Sequence, residues 1–112
     1  MILHILTRAE WEAAQSAQRY APPSLEREGF IHFSTPAQVL GSAARYYAGR
    51  GDLLLLEVDP GACGADLRWE DPGVGPTAGQ DFPHLYRPLE LAEVRAVHEL
   101  RLEAEGFVLP NL

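Results

Sequence analysis

The chain has 112 residues, enough for one domain with a real core and too few for a second lobe. Sixteen acids against nine bases give a net charge of −7, so the chain lacks the basic footprint of a general nucleic-acid binder. All nine bases are arginine, which removes a lysine Schiff base, a P-loop lysine and a lysine nucleophile from consideration.

The apolar opening Met1–Leu6 reads as a first strand. It has neither a basic n-region nor a small-residue cleavage site, so it is not expected to be a signal peptide. No apolar run approaches the ~20 residues of a spanning helix, and no membrane partner is expected. Cys63 is the one cysteine, so an internal disulfide is impossible and a cytoplasmic setting is the expectation. Thr7 with Glu10 three residues on is a capping-box pattern, opening a helix whose inner face holds Trp11, Ala14 and Ala17, with Tyr20 beyond. Pro22-Pro23 stops it, and Ser24–Glu28 adds a short helical turn.

Gly29–Ser34, "GFIHFS", reads as the second strand. Thr35, Pro36 and Gln38 then supply cap, first-turn proline and box partner for a second helix that buries Val39, Leu40, Ala43, Ala44 and Tyr47. Asp52–Asp59, "DLLLLEVD", is a continuous apolar run of strand length and is expected at the sheet centre. "PGACG" reads as a turn and Ala65–Glu70 as a short strand. Asp71–Asp81 is a polar Gly/Pro-rich loop, long enough to suggest function. Phe82–Pro88 looks extended, Leu89–Glu93 reads as a helical turn, Val94–Leu102 as a last long strand and Phe107–Leu109 as a short edge strand. Helices early and strands late give an α+β domain over residues 1–112, with a mixed or antiparallel sheet and two N-terminal helices.

Strand alternation groups the candidate site residues. Ile2, His4 and Leu6 share one face, Phe30, His32 and Ser34 another, and Phe82, His84 and Tyr86 a third. A lone strand histidine is an ordinary satisfied core or rim group; three on three strands point to a pocket. The junction at Ser34 and Thr35 runs a strand into a helix, where free N–H groups and the helix dipole favour an anion. Thr35 is explained by capping and Ser34 is not. Trp69-Glu70 pairs an aromatic with an acid just before the long loop. Cys63 has no basic neighbour to lower its pKa, so it is not expected to be a nucleophile.

The motifs "HILT" at His4–Thr7, "GFIHFS" at Gly29–Ser34, "RYY" at Arg45–Tyr47, "WED" at Trp69–Asp71 and "FPHLYRPL" at Phe82–Leu89 resemble the bacterial domain-of-unknown-function family 952 over nearly the whole chain. Arg87 stands where that pattern has glycine. The family is distantly similar to the ADP-ribosyltransferase-like fold. That resemblance implies NAD or an ADP-ribose-type nucleotide as ligand, with no metal. It implies that His4 holds ribose hydroxyls, that the segment from Phe30 to Ser34 lines the nicotinamide pocket, and that Glu70 or His84 stabilises the developing charge. The expected site is thus His4, Glu70 and His84 as catalytic groups, with Thr7, Phe30, His32, Ser34, Thr35, Trp69 and Tyr86 around the ligand.

Two other classes stay open at this point. Three histidines on neighbouring strands match a three-nitrogen metal site of a hydrolase, though without a recognised spacing. The segment "GFVLPNL" is equally suited to pairing with another chain at a sheet edge, in a non-catalytic binding module of unspecified oligomeric state.

Overall fold

A computed structural model describes all residues, 1–112. Strand β1 (Ile2–Thr7) leads into helix α1 (Arg8–Ala17). The Thr7 hydroxyl accepts from the Glu10 amide at 3.1 Å, and the Glu10 carboxylate accepts from the Thr7 amide at 2.8 Å, so the capping box is complete. The helix ends on Gln18, whose N–H still donates to the Ala14 and Gln15 carbonyls and whose left-handed φ of 60° turns the chain out of the helix. A two-residue strand β2 (Arg19–Tyr20) and a four-residue helix α2 (Ser24–Arg27) follow. Gly29, at φ 89°, makes the turn from α2 into strand β3 (Ile31–His32), a conformation that a side chain would strain.

Helix α3 (Val39–Tyr46), strand β4 (Leu53–Val58) and helix α4 (Pro60–Cys63) come next. The second half is mostly β: β5 (Leu67–Glu70), β6 (Phe82–Leu85), β7 (Leu89–Glu90), β8 (Val94–Glu103) and β9 (Gly106–Val108). The fold is α+β and every strand pair is antiparallel. A four-stranded sheet runs β1-β4-β8-β9, a three-stranded sheet runs β3-β6-β5, and β2 pairs with β7. A bridge between Leu3 and Ser34 stitches the two larger sheets together. No helix is long and apolar enough to cross a membrane.

The leucine run sits at the centre as expected. Leu53, Leu55 and Leu100 pack under α3 with Val39 and Ala43. Leu54, Leu56 and Val58 point the other way, into a second cluster with Ile31, Phe33 and Leu85 of the three-stranded sheet. Strand β4 is therefore buried on both faces, which explains an unbroken apolar run in place of alternation. Each fully buried leucine there contributes about 1.5–3 kcal/mol from area alone.

Ala17 and Ala44, expected on the inner helix faces, are exposed, and three further sequence expectations need correction. Thr35 does not cap α3 through its side chain; its amide donates to Gln38 Oε1 at 3.1 Å, and a turn over Thr35–Gln38 precedes regular helix at Val39. The "PGACG" turn is a helical turn capped by Asp59, whose carboxylate accepts from the Gly61 amide at 2.9 Å. The Leu89–Glu93 segment starts as strand, because Leu89 and Glu90 pair with β2, and only Leu91–Glu93 winds into a 3-10 turn.

Candidate functional site

The three-stranded sheet has two unlike faces. Ile31, Phe33 and Leu85 belong to the core cluster. Alternation turns Phe30, His32, His84 and Glu70 to the opposite face. There His32 and His84 are direct cross-strand partners, with ring centroids 5.4 Å apart. Phe30 stacks on the His84 ring at 4.0 Å and 17° and also touches the His32 and Tyr86 rings, at 4.8 and 5.2 Å. Phe30, His32 and His84 form one wall of a cavity of about 780 Å³. That volume falls in the range of small-molecule sites. Tyr46 and Tyr47 of the α3 end, and Pro72 and Thr77 of the long loop, bound it as well.

His84 is held by Glu70. The Glu70 carboxylate accepts from His84 Nδ1 at 2.9 Å and from the Tyr86 hydroxyl at 2.5 Å. A carboxylate can only accept, so the proton of the neutral ring sits on Nδ1. Nε2 has no protein partner and is open to solvent, since no buried polar side-chain atom in the protein lacks one. Burial outweighs the Glu70 bond and pulls His84 below its usual pKa. The Tyr86 hydroxyl, then the His84 ring, hold Glu70 below the ordinary carboxylate range. At neutral pH the pair is a carboxylate and a neutral imidazole with a free lone pair, a state suited to accepting a proton.

His4 is placed differently. Its Nδ1 donates to the His32 carbonyl at 2.5 Å and its Nε2 accepts from the Tyr20 hydroxyl at 2.6 Å. Burial pushes this imidazole down from 6.5 to about 4, so it is neutral at pH 7. Both ring nitrogens are thereby occupied, and His4 ties the four-stranded sheet to β3. It lines the cavity, but the expected hold on ribose hydroxyls would require Tyr20 to give up its bond. With both its nitrogens used, His4 does not join His32 and His84 in a three-nitrogen site, and no group of three or more His, Cys, Asp or Glu side chains placed to hold a metal ion is assembled.

The remaining expected residues divide. Ser34 is buried at the sheet junction, lines the cavity and shares a 3.0 Å hydrogen bond with Ser42 of α3. His32 donates through Nε2 to Glu28 at 3.0 Å. Glu70 and Tyr86 stand behind His84 and do not bound the cavity. Thr7 is spent on the α1 cap, Thr35 on the turn before α3, and Trp69 is solvent-exposed; none of the three lines the cavity. Cys63 is buried, and burial raises its thiol pKa, so it is not poised as a nucleophile. The sequence reading missed Tyr20, Arg27, Arg45 and Thr77 as cavity residues. They come from four segments, strand β2, helices α2 and α3 and the long loop, whose convergence is a tertiary property.

Residues 5–97 match the family model described as "Protein of unknown function (DUF952)". The chain belongs to the DUF952 family. Its fold is similar to that of CC0527 from Caulobacter crescentus. The crystal structure of that protein is 40% identical, covers 95% of this chain and 90% of its own, and has a TM-score of 0.82. A solution NMR structure of CC0527 is 41% identical over 95% of this chain and 89% of its own, with a TM-score of 0.81. No curated protein matches the chain. Arg87 is firmly used: its guanidinium binds Asp66 at 2.9 Å and Glu93 at 2.7 Å.

Proposed function

We propose that this DUF952 protein binds NAD or an ADP-ribose-type nucleotide in the cavity walled by Phe30, His32 and His84, and acts at the N-glycosidic bond to nicotinamide. The observation that carries this reading is the His84 ring: stacked on Phe30, fixed at Nδ1 by Glu70, and free at Nε2 on the cavity wall. In the proposed step an oxygen of water or of an acceptor hydroxyl bonds to the ribose C1′. The C1′–N bond breaks, and its electron pair neutralises the pyridinium nitrogen as nicotinamide leaves. The proton of the attacking oxygen passes to His84 Nε2. His84 touches the reacting atoms; Glu70 is a positioning residue that fixes the tautomer. Ser34 and Ser42 offer hydroxyls for the nicotinamide amide. A cytoplasmic setting, where a lone cysteine stays reduced, fits this reading.

The test is calorimetric titration with NAD, ADP-ribose and nicotinamide, together with chromatography for released nicotinamide. Binding with release supports the whole reading. Binding without release in any acceptor mixture reduces it to a non-catalytic nucleotide module. No binding of any of the three at millimolar concentration removes it.

A further inference from the structure

Two arginines at the cavity are unpaired. Arg27 closes α2 and Arg45 lies in the last turn of α3, and both line the cavity. Elsewhere Arg8, Arg19, Arg50, Arg87 and Arg101 each face a carboxylate, while Arg68 lies over the Tyr86 ring and Arg95 has no acidic partner. Acids outnumber arginines in this chain, so a bare guanidinium does not reflect a shortage of partners. Glu28 is the neighbour of Arg27 in sequence, yet its carboxylate is turned to His32 at 3.0 Å. Arg45 stands 5.9 Å over the ring of Tyr46, which is 73% exposed.

We propose that Arg27 and Arg45 form an anion subsite that takes the phosphate groups of a phosphorylated nucleoside, with the base on Tyr46. The inference rests on the nucleotide reading above and names the part of the ligand that is recognised. A guanidinium offers a planar fork of donors that matches phosphate oxygens, and it loses little hydration in doing so. An exposed tyrosine ring offers a face to any base. Glu10 and Glu28 also line the cavity, so attraction must come from direct contact with the two guanidiniums and not from a general positive field.

The test titrates adenosine, ADP, ADP-ribose and inorganic pyrophosphate into the wild-type chain and into Arg27→Ala, Arg45→Ala and Arg95→Ala. Arg95 lies outside the cavity on β8 and is the control. The expected result is that ADP and ADP-ribose bind roughly tenfold or more tightly than adenosine, the worth of one charged hydrogen-bond pair. Each cavity variant should erase about tenfold of that preference, Arg95→Ala none, and pyrophosphate should compete with ADP. Equal affinity for adenosine and ADP, or a phosphate preference that survives both cavity variants, overturns the subsite and leaves the nucleotide reading standing. Pyrophosphate binding that depends on the two arginines, with no nucleoside bound, supports the subsite and overturns the nucleotide reading.

Discussion

Glu70 on β5 accepts the Nδ1–H of His84 on β6 across 2.9 Å, as a diagonal neighbour in the antiparallel ladder. The bond favours the protonated ring, so Glu70 pulls the His84 pKa up against burial. Replacing Glu70 by Gln should therefore move the acid limb of a nicotinamide-release profile to lower pH while reducing the rate. A purely structural Glu70 would lower the rate without moving that limb. The pH–rate profile of Glu70→Gln decides between them.

His84→Leu keeps the bulk of the ring and removes its polar atoms. Glu70 retains Tyr86 and contact with water, so thermal unfolding should be little changed. Nucleotide affinity should fall by about 1–3 kcal/mol, the cost of one lost hydrogen bond to a polar or charged partner. Unfolding and calorimetry on one sample check both halves, and a folded variant of unchanged affinity would take His84 out of the site.

Stability should fall with acid in two stages. His4 and His84 have folded pKa values below 6.5, so between about 6.5 and 4 the unfolded chain binds more protons than the native one. The native state therefore loses stability as pH falls through that window. His4 accounts for on the order of 3 kcal/mol of it, from a shift of roughly two and a half units. Glu70 and Glu93 are held below 4.5, so their contribution is present above 4.5 and disappears below it. Urea midpoints from pH 7.5 to 4 should slope down, and His4→Gln should be less stable at pH 7 but flatter. The same slope in that variant would acquit His4.

Tyr20→Phe deletes the donor to His4 Nε2 and leaves a buried acceptor unpaired. The expected cost is about 1–3 kcal/mol in chemical unfolding. The freed Nε2 should also become available to ligand, so NAD affinity should hold or rise. A fall in affinity with no loss of stability would contradict the place given to this bond.

Arg87 joins Asp66, Glu93 and the Pro88 carbonyl, and so clamps the turn after α4 to the turn after β7. Its guanidinium is mostly shielded, and it holds Glu93 below the usual carboxylate range. Arg87→Ala should cost about 1–3 kcal/mol, for charged hydrogen bonds in a partly buried setting. Arg95→Ala, with no partner, should stay within about 0.5 kcal/mol of wild type. Equal unfolding midpoints for the two would refute the clamp.

Much of this site was legible because strands repeat every two residues. That period put Phe30 with His32, and His84 with Tyr86, on shared faces, and both groupings hold. Ser34 leaves regular strand to bridge Leu3, yet it lines the same cavity as Phe30 and His32. His4 was correctly grouped with Ile2 and Leu6, but its two partners, Tyr20 and the His32 carbonyl, are distant in sequence. Thr35 and Gln38 carry a real capping pattern, yet only half of it forms, and regular helix begins at Val39. The β2–β7 pair is two residues long on each side, too short to leave any periodic trace.

Strand β4 has its neighbours at the two ends of the chain: Ile2 opposes Val58, and Leu53 opposes Leu100. Such long loops must close before the central hydrogen bonds form, which makes folding slow relative to a helical domain of this size. During synthesis β1 and β4 can meet early, but the second edge of β4 stays open until β8 has left the ribosome. In that interval an unbroken leucine strand offers unpaired backbone to any passing chain. The loop around Pro76 divides the protein at this same point, so a cut there would separate β1 and β4 from β8. Two such pieces should be insoluble or unfolded alone and should regain structure when mixed.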